Sequence, residues 1–273
     1  SAGMIGSWPP AVIAGAAVVG GTVAWYVVDL VRQIRAAAPG RFRPVIRFYA
    51  VAAAFLPAGA VAGGWMGVGE GGEWPDRLLV FHLVVNVLGF VGLTVFTTLV
   101  TFWSTVLRAP MVEGQDPAAV RALTVMTGGL LVAAAGALAG ADLATAAGLL
   151  AYLLGVLAQL VYFARAARAK PPREFPSMSI GCGLVWLAAA IAWATWLVGS
   201  GRAEELRTVT VALLAGGLAQ ILFGAMSFLM PTVMRGGPAA VRAGMIGMNR
   251  LAVFRLVLIN AGLVVFLLPG GTS

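Results

Sequence analysis

The chain contains one histidine, His82, four residues before Asn86 in a long apolar run, so a helix places both side chains on one face. An imidazole at the edge of hydrocarbon has two readings. It is a hydrogen-bonded structural group, or it ligates a heme iron or metal through its unprotonated nitrogen. A single histidine excludes bis-histidine heme ligation within the chain, while five-coordinate heme, or histidine with methionine, stays open. The same face continues through Gly89, Leu93, Thr97 and Ser104, and a second polar face joins Gln220, Gly224, Ser227 and Pro231. Polar groups within a membrane usually face neighbouring helices or a cavity, so His82, Asn86 and Gln220 are the candidate cofactor-contacting residues and His82 the candidate metal ligand. The competing reading makes Asn86, Gln220 and Asn260 interhelical hydrogen-bond groups.

Met226, Met230 and Met234 recur every four residues, and thioethers can hold reduced copper. They lie on a different face from Gln220 and read as packing or lipid-facing side chains. Cys182 stands alone in an apolar run, so neither a disulfide framework nor a cysteine metal cluster can form within the chain. Gln159 has no partner identifiable from the sequence, and Asp29 is expected to pair with Arg32 at a membrane interface. Phosphate-binding loops, zinc-helix motifs, serine elbows and paired catalytic carboxylates are absent from the sequence, which argues against hydrolase and phosphoryl-transfer chemistry.

The elements that must position these residues follow from composition. Of 273 residues, 60% are hydrophobic and only 10% charged, against roughly 25% charged in a soluble domain. Apolar runs at 10–31, 46–66, 78–105, 120–140, 143–165, 178–199, 208–233 and 251–268 predict eight transmembrane helices, each long enough to cross roughly 30 Å of hydrocarbon. The connections after the first, third, fifth and seventh carry 14 basic residues, among them Arg32, Arg108, Lys170, Arg173, Arg235 and Arg242, and the opposite side carries Arg77, Arg202 and Arg207. Basic loops stay cytoplasmic, so both termini are expected outside. Glu70, Glu73 and Asp76 collect on the outer side, where Trp8, Trp65 and Trp74 read as interfacial anchors. The net charge of +8 sits in short loops, so it predicts no nucleic-acid partner. Near-exclusive use of arginine, with abundant Ala and Gly, suits a GC-rich bacterial genome, hence a multi-pass protein of a bacterial cytoplasmic membrane.

The runs are also repeated. Thr-Val-Leu-Arg at 105–108 returns as Thr-Val-Met-Arg at 232–235, and Pro-Ala-Ala-Val-Arg-Ala at 117–122 returns identically at 238–243. Proline-bearing arginine loops, Pro39 with Pro44 and Pro171 with Pro172, fall at matching places. Two parallel four-helix repeats, 1–140 and 141–273, are expected to be related by a pseudo-two-fold axis along the membrane normal. Gly89 and Gly216 then permit close backbone approach where the polar faces meet.

The block His82-Leu-Val-Val-Asn86-Val-Leu-Gly-Phe-Val-Gly-Leu-Thr, ending in Phe-Trp-Ser-Thr-Val-Leu-Arg, resembles the membrane region preceding cupredoxin domains in actinobacterial copper-containing nitrite reductases and multicopper-oxidase-like proteins. Gln220-Ile-Leu-Phe-Gly-Ala-Met-Ser-Phe-Leu-Met-Pro231, with Gly-Gly-Pro-Ala-Ala-Val-Arg after it, resembles a second block of that family; Phe81 stands where such relatives carry a further histidine. The resemblance implies a redox-associated membrane domain or subunit that anchors or serves an extracytoplasmic copper enzyme, with heme, copper or quinol contact. The expected partners are the lipid bilayer and an extracytoplasmic cupredoxin domain, with a homo-oligomer left open. A small-molecule transporter or channel and a structural assembly subunit are the alternative readings, since parallel repeats around a polar seam also suit a transporter.

Overall fold

A computed structural model of the chain describes residues 9–38, 40–68, 74–234 and 237–268. Trp8, Pro39, Glu70, Glu73, Arg235 and the carboxyl end at Ser273 lie outside them, as does the side chain of Trp74. The described residues form helices and no strand: α1 (Pro9–Ala36), α2 (Arg43–Val68), α3 (Trp74–His82), α4 (Leu93–Leu107), α5 (Gln115–Ala139), α6 (Asp142–Ala169), α7 (Phe175–Gly199), α8 (Leu206–Val211), α9 (Gln220–Val233), α10 (Gly237–Asn249) and α11 (Ala252–Leu267). Leu83–Gly92, here π1, and Ala212–Ala219, here π2, are wound as π-helix and join α3 to α4 and α8 to α9. Among the described residues seven helices are long and apolar enough to cross a membrane, and α10 with α11 makes an eighth such candidate only as a pair bent by 42°. The chain is thus compatible with a multi-pass membrane protein.

The last segment departs from the sequence reading. Residues 237–249 were expected to be a connection, because Arg242 and Arg250 interrupt the apolar pattern, yet they form α10. Gly244 lets α10 lie close against α9, where an added Cβ would stand 2.9 Å from that of Pro231. Leu251 then takes a left-handed backbone (φ 54°) and redirects the chain. The 16 residues of α11 span only about 24 Å at 1.5 Å per residue, short of a full crossing.

Compact packing divides the chain into two units. Among the described residues, those within Ser1–Val100, Gly114–Gln159 and Val198–Glu204 form the first. There, α1 lies along α2 through small side chains. A Cβ added at Gly64 would stand 2.8 Å from that of Ala16, and one at Gly67 would meet Val12 at 2.6 Å. The remaining faces of α1 stay exposed, with Val18 and Trp25 at 68% and 69%, as lipid contact would require. Leu93, Phe96, Val100, Leu123, Met126, Leu130 and Val156 are fully buried and supply the core.

Thr101–Glu113, Leu160–Leu197 and the described part of Glu205–Ser273 form the second unit. Its interior holds Ile180, Leu187, Ile191 and Leu197 of α7 with Ile221 of α9. Trp103 donates its indole N–H to the Phe163 carbonyl at 2.9 Å, and the Phe102 and Phe228 rings meet edge to face at 5.8 Å. Asn249 Oδ1 accepts the first amide of α7, Phe175 N–H, at 2.7 Å, so a side chain from α10 caps that helix.

Candidate functional site

In the first unit, His82 closes α3 and Asn86 lies within π1. His82 Nδ1 lies 3.0 Å from the Gly59 carbonyl oxygen of α2 and donates to it when it carries the ring proton. Asn86 Nδ2 stands 3.1 Å from both ring nitrogens and donates to whichever lacks the proton. The cluster exists because α2 presents glycine there. A Cβ at Gly59 would fall 2.0 Å from Asn86 Oδ1, and one at Gly63 would fall 3.1 Å from His82 Cε1. Both side chains are half-buried against α2, and Asn86 Oδ1 is buried with no hydrogen-bond partner among the described residues.

Gln220 and Asn260 come together in the second unit. Gln220 Nε2 donates to Asn260 Oδ1 at 3.1 Å, and Asn260 Nδ2 donates back to Gln220 Oε1 at 3.2 Å. Trp186 N–H joins at Asn260 Oδ1 (2.6 Å), while Ser179 Oγ donates to the Gln220 carbonyl (2.7 Å). Gln220 is 2% exposed, and each of its amide atoms is paired. A closed network of this kind holds helices together without a ligand.

Both clusters adjoin a π-helical segment, and the two segments are built alike. In π1 the Leu88 carbonyl accepts from Tyr152 O–H at 3.1 Å, and in π2 the Gly216 carbonyl accepts from Gln220 Nε2 at 2.8 Å. The Leu88 carbonyl also accepts the Leu93 N–H of the i→i+5 winding, so Tyr152 is its second donor. The segments end at Gly92 and Ala219, 127 residues apart, the spacing that separates Thr105 from Thr232. Gly89 and Gly216 share that spacing, and each lies under an aromatic ring: an added Cβ would come 2.8 Å from Phe55 or 2.7 Å from Trp186. Close approach at these glycines is therefore made by ring to backbone.

The faces continuing from the clusters are buried. Leu93, Thr97, Val100 and Ser104 are at most 4% exposed, and Gly224 and Pro231 are buried beyond Gln220. Met226, Met230 and Met234 are 44%, 42% and 65% exposed, which suits lipid-facing side chains. Asp29 accepts from Gln33, four residues ahead on its face, at 2.7 Å, and not from Arg32. Gln159 is 3% exposed, and its Nε2 has no partner among the described residues.

Sequence reasoning passed over Tyr152, Trp186, Asn249 and Arg255. Tyr152 is among the largest fully buried side chains, and Gly92 leaves room for its hydroxyl, which a Cβ there would meet at 2.4 Å. Arg255 lies inside α11, with its guanidinium 3.9 Å from the Phe175 ring centroid and its Nη2 donating to the Met248 carbonyl. A lone arginine in an apolar run was the available signal for it.

The sequence matches no protein-family model, and neither a curated protein nor a solved structure matches it.

Proposed function

We propose that this chain is a redox-associated membrane domain, built from two parallel repeats with both termini outside, that anchors or serves an extracytoplasmic copper enzyme. The observation that carries the reading is where the family-like blocks fall. The block from His82 runs through π1 and the block from Gln220 begins where π2 ends, and π-helical segments are frequent at functional sites. The 127-residue spacing shared by the ends of the two segments and by Gly89 and Gly216 supports a duplicated origin.

With the ring proton on Nδ1 and given to the Gly59 carbonyl, His82 would keep a lone pair on Nε2 for a ligated iron. One imidazole would supply a single nitrogen to a heme iron, and binding through Nε2 would require the Asn86 amide to turn away. It does not fit a copper centre, because among the described residues no three of His, Cys, Asp and Glu converge. Copper catalysis therefore belongs to the partner in this reading, and the membrane chain passes electrons to it or holds it in place. The test is reduction of protein purified from its native membrane. A stoichiometric chromophore bleached or reduced by added quinol supports the proposal, and a colourless protein inert to quinol overturns it.

A transporter or channel is the second reading, and one observation favours it. In the first unit Asn86 Oδ1, Thr97 Oγ1, Gln115 Oε1 and Gln159 Nε2 are buried with no partner among the described residues, although buried polar atoms are normally satisfied by protein or water. Solute flux into proteoliposomes, without any chromophore, distinguishes this reading from the first.

A further inference from the structure

Arg108 ends α4 in the left-handed region (φ 52°), a strained setting for a residue with a side chain. Several contacts hold it there. Lys170 Nζ donates to the Arg108 carbonyl at 2.7 Å, and the Arg108 guanidinium grips Glu174 through two contacts, at 3.2 and 3.4 Å. Beside them lies a cavity of about 300 Å³ whose lining includes Arg108, Lys170, Arg173 and Glu174, with Val106 and Leu107 as its apolar wall. Three cations thus stand against one carboxylate, and that carboxylate is already taken by Arg108. Positive charge at Lys170 and Arg173 is left over. The start of α7 adds little hydrogen bonding, since Phe175 N–H is given to Asn249 and Pro176 has no N–H. Any anion held here is held by side chains.

We infer that this cavity binds a phosphate-bearing anion, supplied by an anionic phospholipid headgroup or by a soluble phosphate ester. Lysine and arginine give charge-assisted bonds to phosphate oxygens, and basic pockets between membrane helices at the cytoplasmic side take lipid headgroups. The arginine bias puts this loop on that side. Val106 and Leu107 offer apolar surface to the glycerol end of a lipid. The inference stands apart from the redox reading, because it concerns other residues and needs no cofactor.

The experiment uses the full chain in nanodiscs of phosphatidylcholine. Phosphatidylglycerol is titrated into one series and inorganic phosphate is added to another, with bound lipid read by native mass spectrometry and the unfolding midpoint read by intrinsic fluorescence. Wild type is expected to retain phosphatidylglycerol or to be stabilised by phosphate. The series that responds identifies the source. The Lys170→Gln/Arg173→Gln double variant should bind roughly thirtyfold more weakly, whereas Arg165→Gln/Arg168→Gln, which removes the same charge from exposed positions outside the cavity, should bind as wild type does. Equal loss in both double variants, or no response of wild type to either ligand, overturns the inference. Lys170→Gln also removes the bond to the Arg108 carbonyl, so the ligand-free unfolding midpoint of each double variant is the folding control. The single variant Arg173→Gln, which leaves Arg108, Lys170 and Glu174 in place, should still bind phosphate or phosphatidylglycerol several-fold more weakly than wild type.

Discussion

The side-chain amides of Gln220 and Asn260 bond one another in both directions, at 3.1 and 3.2 Å, and Trp186 adds its indole N–H to the same Asn260 oxygen. Replacing Asn260 by Leu leaves Gln220 Oε1 and Trp186 N–H without these partners. The expected destabilisation is about 1 kcal/mol, since membrane hydrogen bonds average less than the full cost of an unsatisfied group in water. The Gln220→Leu/Asn260→Leu double variant should be less destabilised than the sum of the single variants. Denaturant unfolding in detergent reads both values, and strict additivity would contradict the network.

Gly59 is the floor under the first cluster. Gly59→Ala places a Cβ 2.0 Å from Asn86 Oδ1, so Asn86 and then His82 must shift, at roughly 1–3 kcal/mol for overpacking. Gly21 on α1 has nothing within 4 Å of an added Cβ, and Gly21→Ala should leave the unfolding midpoint near the wild-type value. Equal effects of the two alanines would mean that the cluster has no such floor.

Tyr152→Phe tests the hold on π1. Its hydroxyl bonds the Leu88 carbonyl in a fully buried setting, so losing it should cost about 0.5–1.5 kcal/mol. Hydrogen exchange of the amides of residues 88–93 should rise in the same variant. If exchange there is unchanged, π1 is kept by helix packing and not by this bond.

The topology has its own test. Reporter fusions after Arg35 and Arg168 should report cytoplasm, and a fusion after Ser273 should report the outside. A cytoplasmic signal at Ser273 would remove the both-ends-outside arrangement, and the bent α10–α11 pair is where such a change of crossing number would arise.

The spans were legible because lipid demands long apolar runs, and seven of the eight appear as single long helices close to where hydropathy put them. The polar residues were legible for the same reason, since Gln220 and Asn260 stand out against Leu and Val. Their partnership was not, because it joins positions 40 apart and depends on how α9 and α11 pack. The π-helical winding of 83–92 left no trace in side-chain pattern, for it is a change in backbone bonding and its donor, Tyr152, lies 64 residues from Leu88. At α10 the arginines read as a connection, whereas the helix depends on a close approach of Gly244 to Pro231 of α9 that a single sequence does not display. Asp29 shows the smallest error: charge suggested Arg32, and helical geometry gave Gln33.

The most direct test of the redox reading is a pair of absorption spectra, with metal analysis, of wild type and His82→Ala purified from the native membrane. His82 is half-buried and touches α2 through Gly59 and Gly63, so the variant should fold, with a loss of about 1 kcal/mol from its hydrogen bonds. A heme signal is expected in wild type and is expected to be absent from the folded variant. A wild-type protein without chromophore or metal, whose His82→Ala variant differs only in its melting curve, would contradict it and leave His82 as the bond between α3 and α2.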